Sequence, residues 1–181
     1  MKTVERKIIA ELMKNSRRSD RELSHVIGVS QPTVSRTIAK LEKQGIIKEY
    51  TMIPDFRKLG YRLISLTFVN IKQDLTKEEL EKAREKTQHD MREFCPSEII
   101  MFERGIGMGF GGVIVALHED YSAYVRLKER TRKYDFLDHA KTSSFIINLE
   151  DDLHYRQLTF STLAQHLLEI QKESHTRQKL R

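Results

Sequence analysis

Apolar residues in the first third of the chain recur at the spacing of amphipathic helices, three or four positions apart. Three short helices are predicted in this way, and their buried sides hold Val4, Ile8, Ile9 and Leu12, then Leu23, Val26 and Ile27, then Val34, Ile38 and Leu41. Each stripe covers only one side of its helix. The three helices are therefore expected to bury these sides against one another in a small core.

The residues between these stripes are typical of helix ends. Ser19 and Glu22 have the spacing of a capping box, in which each side chain accepts a hydrogen bond from a free backbone amide. Gly28 stands where a helix can end in a left-handed conformation, and Ser30 is placed to cap the next helix. Residues 46–53 are expected to be extended. A tight turn between the last two helices, followed by a β segment, predicts a winged helix-turn-helix domain over residues 1–55.

The pattern changes after a linker at residues 56–60. Over residues 61–150 the predicted order is βαββαβ, with strands at 63–71, 99–102, 113–117 and 144–149 and helices that begin near Thr76 and Asp120. The inward positions of the first of these helices are Leu80, Ala83, Thr87, Met91 and Phe94. This order is ferredoxin-like, so the chain is predicted to be an α+β protein. Residues 151–181 add a C-terminal helix, with Leu163, Leu167 and Ile170 on one side, and a polar tail.

Two of the predicted strands, 99–102 and 113–117, are continuous runs of apolar residues. A sheet with one face in water should alternate apolar and polar side chains, so both faces of this sheet are expected to be buried. In the ferredoxin-like arrangement both helices cover the same face, and the N-terminal domain has a core of its own. Another subunit is the simplest cover for the second face. The pattern therefore predicts a homodimer formed through residues 61–150.

The positive charge of the chain is concentrated at one end. The formal net charge is +6. Residues 1–60 hold 13 Lys and Arg against 7 Asp and Glu, whereas residues 61–181 hold 19 of each. Such an asymmetry is typical of a domain that binds a polyanion and is joined to a neutral domain. On charge alone, a surface charge without function is the alternative.

The third predicted helix has an outward side without acidic residues. Its outward positions are Gln31, Thr33, Ser35, Arg36, Thr37 and Lys40. In the major groove of DNA, Arg can bond guanine, Gln can bond adenine, and Ser and Thr can contact bases or phosphates. Further candidates for DNA contacts are Arg17, Arg18, Arg21, Ser30 and, on the expected wing, Lys48. Double-stranded DNA is thus the predicted partner, and an ordinary solvated helix face is the alternative.

The segment from Lys7 to Gly60, above all its stretch ELSHVIGVSQPTVSRTIAKLEKQGII, resembles the N-terminal module of the Lrp/AsnC family, the feast/famine regulators of transcription. The order of the α+β domain behind it is similar too. The resemblance implies that the helix over residues 30–44 contacts DNA, that the second domain dimerises and that dimers can assemble into larger rings. It also implies that effectors such as amino acids bind near subunit contacts. A sequence-specific, dimeric transcription regulator is therefore expected.

Glycines are concentrated between the second and third predicted strands, at Gly105, Gly107, Gly109, Gly111 and Gly112. Glycine permits positive φ angles and the close approach of another chain or a ligand. A phosphate-binding loop is not expected, because the segment has no GK[ST] motif and a strand follows it. The glycines are interpreted as an effector or interface site, and a flexible, bulged hairpin is the alternative. No acid occurs between Glu103 and Glu119, so a free amino group would lack a carboxylate partner here.

Other chemistry is poorly represented. The histidines are scattered, the single cysteine, Cys95, is interpreted as a small apolar residue, and no catalytic residues, metal or cofactor are predicted. Charges near the N-terminus argue against a signal peptide, and no apolar run is long enough to span a membrane, which favours a cytoplasmic location. Two alternatives to a sequence-specific transcription regulator remain open. By resemblance, chains with this two-domain layout also act as sirohaem decarboxylases, and an architectural DNA binder would show little sequence preference.

Overall fold

The computed structural model describes residues 1–70, 72, 75–93, 96–134, 136–153 and 156–179, without the side chains of 84, 87, 88, 90–93 and 171–179. The chain forms two compact units. The helical unit comprises Met1–Pro54 and Tyr155–Arg181, and the sheet unit comprises Asp55–His154. The inward positions predicted for Thr87, Met91 and Phe94, and the interpretation of Cys95, lie outside the described residues.

The helical unit begins with α1 (Thr3–Lys14), α2 (Asp20–Ile27) and α3 (Gln31–Lys43). The predicted capping box starts α2, since the Ser19 hydroxyl accepts the amide N–H of Glu22 and the Glu22 carboxylate accepts that of Ser19. The core consists of residues from the three predicted stripes, namely Ile8, Leu23, Ile27, Val34 and Leu41. The prediction for Val26 is wrong, because this side chain is 55% exposed. A helix as short as α2 buries one narrow side, and Leu23 and Ile27 occupy it.

A further helix, α6 (Ser161–Lys179), belongs to the same unit and packs against α1. Each of the two helices has a fully buried alanine, Ala10 on α1 and Ala164 on α6. Such small side chains let two helices approach closely. The buried side of α6 differs from the predicted apolar stripe. Leu163 and Ile170 of that stripe are exposed, whereas Ala164 is buried.

The sheet unit has the predicted order of elements. It comprises β1 (Leu63–Val69), α4 (Lys77–Glu93), β2 (Ile99–Gly107), β3 (Phe110–His118), α5 (Tyr121–Thr131) and β4 (Ser143–Asn148). The strands form an antiparallel sheet in the order β2-β3-β1-β4. Thr76 and Glu79 form a capping box at the start of α4. The ferredoxin-like α+β prediction is therefore confirmed.

The two faces of the sheet differ in chemistry. The face toward α5 is partly polar: the Tyr124 hydroxyl donates to Ser144 Oγ at 2.9 Å, and Ser65 Oγ lies 2.8 Å from His118 Nε2. Directly paired residues on neighbouring antiparallel strands share a face. The pairing therefore places a mainly apolar set on the opposite face, which we call the open face and which comprises Ile64, Leu66, Phe68, Met101, Glu103, Val113, Val115, Leu117, Ser143, Phe145 and Ile147.

Residues 46–53 do not form the predicted β segment and have no regular secondary structure. A strand is stable only when its backbone groups pair with a neighbour, and the described residues of the helical unit include no other strand. Side chains hold the segment instead. Ser16 Oγ donates to the Thr51 carbonyl and the Tyr50 hydroxyl donates to Glu42, both at 2.8 Å. The expected wing is thus an irregular extension.

The glycine-rich segment is mostly strand. Four of its glycines lie within β2 or β3, and the hairpin is closed by Met108 and Gly109. Their φ angles of 51° and 78° fit a two-residue turn with both residues in the left-handed region. The register shifts between Arg104 and Gly107, which is the irregularity that the bulged-hairpin alternative predicts. The prediction that all five glycines lie between two shorter strands is wrong.

Candidate nucleic-acid interface

The turn between α2 and α3 is fixed by backbone bonds that follow from its sequence. Gly28 adopts φ 79° at the end of α2. The amide N–H groups of Gly28 and Val29 both donate to the Ser24 carbonyl, at 3.0 and 3.2 Å. This arrangement satisfies a carbonyl that would otherwise be unpaired at the helix end. The chain therefore leaves α2 in one defined direction, and α3 begins after a short, tight turn.

Helix α3 is held to the core along one side. Val34 and Leu41 are fully buried and Ile38 is partly buried. At 3.6 residues per turn, the same spacing turns the intervening positions outward. The structure leaves the predicted outward side chains exposed, apart from the half-buried Thr37; the exposed ones are Gln31, Thr33, Ser35, Arg36 and Lys40.

Hydroxyl groups at the start of α3 bond to one another. Ser30 occupies the predicted cap position, but its hydroxyl lies 2.8 Å from the Thr33 hydroxyl and makes no bond to a backbone amide. The Thr37 hydroxyl donates to the Thr33 carbonyl at 2.7 Å. Among the described residues, no hydrogen bond or ion pair engages the side chains of Gln31 and Arg36. These two side chains are therefore available to a ligand.

Lys40 has a structural contact that its position on the sequence did not indicate. Its Nζ lies 2.6 Å from a carboxylate oxygen of Glu5 on α1, and Glu5 is 6% exposed. The bond to Lys40 and a second one from the Lys2 amide hold the pKa of Glu5 below its ordinary value. Lys40 remains half-exposed, but its charge ties α3 to α1.

A second buried carboxylate fixes one of the predicted arginines. Glu11 on α1 pairs with Arg18 and with Lys14, each at 2.7 Å. Arg18 is consequently half-buried, whereas Arg17 and Arg21 are exposed. Glu5 and Glu11 were missed as structural residues. The sequence contains a signal for this structural role, since both glutamates lie beside the apolar stripe of α1.

Two further acids of the helical unit are also bonded within it. Glu22 accepts hydrogen bonds from the Ser19 amide and hydroxyl, and these bonds lower the pKa of Glu22. Glu42 accepts a bond from Tyr50, and partial burial together with this acceptor raises the pKa of Tyr50 to about 12. Four carboxylates are thus bonded internally, while Arg17, Arg21, Arg36 and Lys48 are exposed. Of these four, only Glu5 and Glu11 are paired with cations, because Ser19 and Tyr50 are uncharged and leave the charges of Glu22 and Glu42 in place.

The glycine hairpin lies in the sheet unit. Asn70 Nδ2 donates to the Gly109 carbonyl at 2.8 Å, and a Cβ added at Gly112 would lie 3.1 Å from the Glu103 carbonyl oxygen. A larger residue at position 112 would therefore require β2 to move by a few tenths of an ångström. Around Gly105 and Gly107, in contrast, no atom lies within 4 Å of an added Cβ.

The described residues offer neither a metal site nor a membrane span. They include no group of three or more His, Cys, Asp and Glu side chains that could hold a metal ion. No helix among them has the length and apolar character needed to cross a membrane.

The N-terminal part of the chain matches a family of known proteins. Residues 1–48 match the model for winged helix-turn-helix DNA-binding domains. An uncharacterized HTH-type transcriptional regulator of Pyrococcus horikoshii is 41% identical over 58 residues, which cover 32% of this chain and 39% of that protein. The regulator LrpC of Bacillus subtilis is 43% identical over 65 residues, 36% of this chain and 45% of its own length. The chain thus matches less than half the length of these curated relatives.

Solved structures extend the similarity across both units. LrpC of Bacillus subtilis has a TM-score of 0.64 at 24% identity, covering 86% of this chain and 99% of that one. An AsnC family regulator of Agrobacterium tumefaciens scores 0.67 at 20% identity, with 90% and 99% covered. A transcriptional regulator of Neisseria meningitidis, solved in complex with L-Met, scores 0.68 at 20% identity, again with 90% and 99% covered.

These similarities first define a class: a helix-turn-helix module joined to a ferredoxin-like α+β domain. The particular resemblance is to Lrp/AsnC regulators, which the relatives support for the N-terminal segment and the solved structures support for the fold. The resemblance inferred from the sequence is therefore confirmed.

Proposed function

We propose that this protein is a sequence-specific, DNA-binding regulator of transcription and not an enzyme. The observation that carries the proposal is the outward side of α3, where Gln31 and Arg36 are exposed and unengaged among the described residues. The relatives are named as transcriptional regulators, which supports the same class. A regulator works where the DNA is, so the proposed location is the cytoplasm.

The side chains of α3 and its flanks are assigned to two roles. Gln31 and Arg36 are proposed to contact base edges, where bidentate hydrogen bonds distinguish adenine and guanine. Phosphate contacts are assigned to the positive or hydroxyl side chains around them, namely Arg17, Arg18, Arg21, Ser30, Thr33, Ser35, Thr37, Lys40 and Lys48. The N-terminus of α3 adds backbone amides and no acid in its first turn.

The sheet unit is proposed to form the homodimer through its open face. Phe145 is 63% exposed there and Ile147 is 37% exposed. A second copy would remove this apolar surface from water. Two α3 helices would then reach a pseudo-palindromic site with half-sites about one helical turn, or a multiple of it, apart. Dimers can assemble further into rings.

A small-molecule effector is the remaining part of the proposal. The Neisseria meningitidis regulator of the same fold was solved with L-Met. In this chain we assign the effector or interface role to the hairpin with Gly105, Gly107, Gly109, Gly111 and Gly112. Because the hairpin has no acid between Glu103 and Glu119, its backbone amides suit an anionic group better than an amine.

Selection of bound fragments from random DNA tests the proposal. The full chain should enrich a two-fold symmetric sequence, and its affinity should fall steeply with salt because phosphate contacts release counterions. Arg36→Ala should then reduce discrimination between the selected site and a variant with one changed guanine, by about tenfold or more. Lys128→Ala is the matched control, since Lys128 is an exposed cation of the sheet unit.

The outcomes separate the proposal from its alternatives. Binding without any enriched sequence would indicate an architectural DNA binder. Unchanged discrimination by Arg36→Ala would remove Arg36 as a base-contacting residue. Absence of DNA binding together with a bound tetrapyrrole in the purified protein would favour the decarboxylase.

A further inference from the structure

The face of the sheet toward α5 contains a fully buried histidine. His118 lies at the end of β3 and is 1% exposed. Its Nε2 lies 2.8 Å from the hydroxyl oxygen of Ser65 on β1, and Ser65 is buried to the same degree. The other ring nitrogen, Nδ1, is buried and has no hydrogen-bond partner among the described residues. An N–H group at Nδ1 would therefore have no acceptor there.

Uncharged aromatic side chains pack beside this ring. The Tyr124 ring of α5 lies edge-to-face on it, with 5.6 Å between the ring centres, and the Tyr124 hydroxyl donates to Ser144. The exposed Tyr121 packs against Tyr124 in turn. A cavity of about 290 Å³ lies elsewhere in the sheet unit, between β2, β3 and the end of α5, and His118 is not among its described lining residues. The ring therefore has no contact with the open space of that cavity.

The strands and the helix around His118 provide no buried counter-ion. β1, β3 and β4 contain no ionisable side chain other than His118 itself. The charged residues of α5 are all exposed, namely Arg126, Lys128, Glu129 and Arg130. A positive charge on the His118 ring would therefore be buried among neutral groups of these elements.

The charged residues next to His118 in the chain or in the sheet face water or are engaged. Glu119 and Asp120 are exposed, and the Asp120 carboxylate accepts an amide N–H at the start of α5. The Arg62 amide donates to the His118 carbonyl, while the Arg62 guanidinium pairs with Glu150. Burial lowers the pKa of His118, and the negative charge of Glu119 opposes this shift without cancelling it.

Protonation of His118 is therefore unfavourable in the folded sheet unit. A neutral imidazole has one donor and one acceptor nitrogen, whereas both nitrogens of the cation are donors. The cation would bury a charge together with an unsatisfied N–H group at Nδ1. In the unfolded chain the pKa returns to its ordinary value of 6.5, so the unfolded state binds more protons below this pH. The stability of the sheet unit should consequently decrease as the pH falls below 6.5.

We propose that His118 is an acid-sensitive switch that connects β1, β3 and α5. In its neutral form the ring bonds to Ser65 and packs against Tyr124. Its protonation disrupts this packing and loosens α5 on the sheet, so the sheet unit opens in mild acid while the helical unit keeps its structure. The switch requires neither DNA nor an effector and stands independently of the proposed function.

Hydrogen exchange of the full chain, followed by NMR from pH 7.5 to 5.0, tests the proposal. The wild type is compared with His118→Gln, whose side chain is uncharged at every pH and can still bond to Ser65. The ratio of wild-type to variant protection at the amides of β1 and β3 should fall below pH 6.5. The limit for one proton is about tenfold per pH unit. The same ratio for α1 and α2 should stay constant. His139→Gln is the matched control, because His139 is an exposed histidine of the same unit, and its ratio should not depend on pH.

Ring spectra of the wild type keep the proposal testable if His118→Gln does not fold. At pH 6.5 the His118 ring should be mostly neutral in the folded protein, as read from its ¹⁵N chemical shifts. The proposal is overturned by a ring that is at least half protonated at this pH, or by a protection ratio in β1 and β3 that is constant from pH 7.5 to 5.0. It is also overturned if the helical unit shows the same change, or if His139→Gln shows the same pH-dependent ratio as His118→Gln.

Discussion

At the scale of single residues, the pairing of Glu5 with Lys40 connects α1 to α3 through one buried carboxylate. The hydrogen bond from Lys40 is the main reason why the pKa of Glu5 is lowered from its ordinary value of 4.5. A group whose pKa is lower in the folded state stabilises that state when it is ionised. The contribution is therefore fully present above pH 4.5 and is lost as the pH falls through the lowered pKa.

This pairing predicts an acid-sensitive stability of the helical unit. The urea midpoint of the wild type should fall as the pH decreases below 4.5. Glu5→Gln cannot ionise, so its midpoint should be lower than that of the wild type at pH 7 and should change less between pH 7 and acid. Urea titrations followed by far-UV circular dichroism measure both quantities. Equal pH dependence in the two proteins would contradict the assignment.

The same contact predicts that two lysines of α3 differ. Lys40→Met should lower the urea midpoint at pH 7, because the Glu5 carboxylate then stays buried without its cation. Lys43→Met is the control, since Lys43 is exposed on the same helix and has no ion pair among the described residues. A DNA contact by Lys40 would be lost in the first variant, so stability is measured without DNA. Identical midpoints of the two variants would show that the pair contributes nothing.

Sequence reasoning identified the outward residues of α3 but not their partners. Local spacing determines which side of a helix is apolar, so Gln31 and Arg36 could be placed outward from the sequence alone. The partner of Lys40 is 35 positions away in the chain. Such a contact depends on how the helices pack, which no local pattern encodes.

At the scale of secondary structure, helix starts were predictable and strand pairing was only partly so. Ser19 and Thr76 each begin a capping box because the residues involved are three positions apart and act locally. Residues 46–53 have strand-like composition yet form no strand, since a strand needs a partner that the described part of the helical unit does not provide. Conversely, β2 and β3 extend into the glycines because each strand pairs with the other.

The hairpin of β2 and β3 predicts opposite tolerance at two of its glycines. An alanine Cβ at position 112 would lie 3.1 Å from the Glu103 carbonyl oxygen and 3.3 Å from Val69 Cγ2. Gly112→Ala should therefore destabilise the sheet unit by about 1–3 kcal/mol, as other overpacking substitutions do. Gly105→Ala, where an added Cβ meets no atom within 4 Å, should change stability little. Thermal unfolding of both variants measures the difference, and an equal loss in both would contradict the close-approach argument.

The packing of α6 against α1 predicts that a small residue is required on α6. Ala164 is fully buried, so Ala164→Leu must push the two helices apart or distort its own rotamer. The helical unit should lose about 1–3 kcal/mol in urea unfolding. Gln165→Leu adds a similar side chain at the next, exposed position and is the control. A stable Ala164→Leu variant would indicate that α6 does not pack tightly on α1.

At the scale of the whole molecule, the two units differ in charge and in apolar surface. The helical unit contains residues 1–54, which carry most of the positive excess of the first third of the chain, and the sheet unit contains an apolar open face and an internal cavity. The charge asymmetry and the apolar strands were visible in the sequence. The cavity was not, because its walls come from β2, β3 and α5, and only the folded unit brings them together. The packing of α6 against α1 was hidden for the same reason.

The open face of the sheet predicts the oligomeric state. Phe145 is 63% exposed on β4 and is paired with Leu66 of β1 on the same face. Light scattering should give a mass near twice the 21.3 kDa of the chain. Phe145→Glu should shift the protein to the monomer, because a carboxylate in an apolar interface would be desolvated without a partner. Its fold should be retained, since this side chain is solvent-exposed within one subunit.

A matched substitution distinguishes a specific interface from a general effect of charge. Ser122→Glu introduces the same carboxylate at an exposed position of α5, on the other side of the sheet, and should leave the dimer intact. If DNA binding requires two α3 helices on two half-sites, Phe145→Glu should also weaken operator binding, while Ser122→Glu should not. A wild type that stays monomeric at micromolar concentration, or a dimer that both variants preserve, would show that the open face is not the interface.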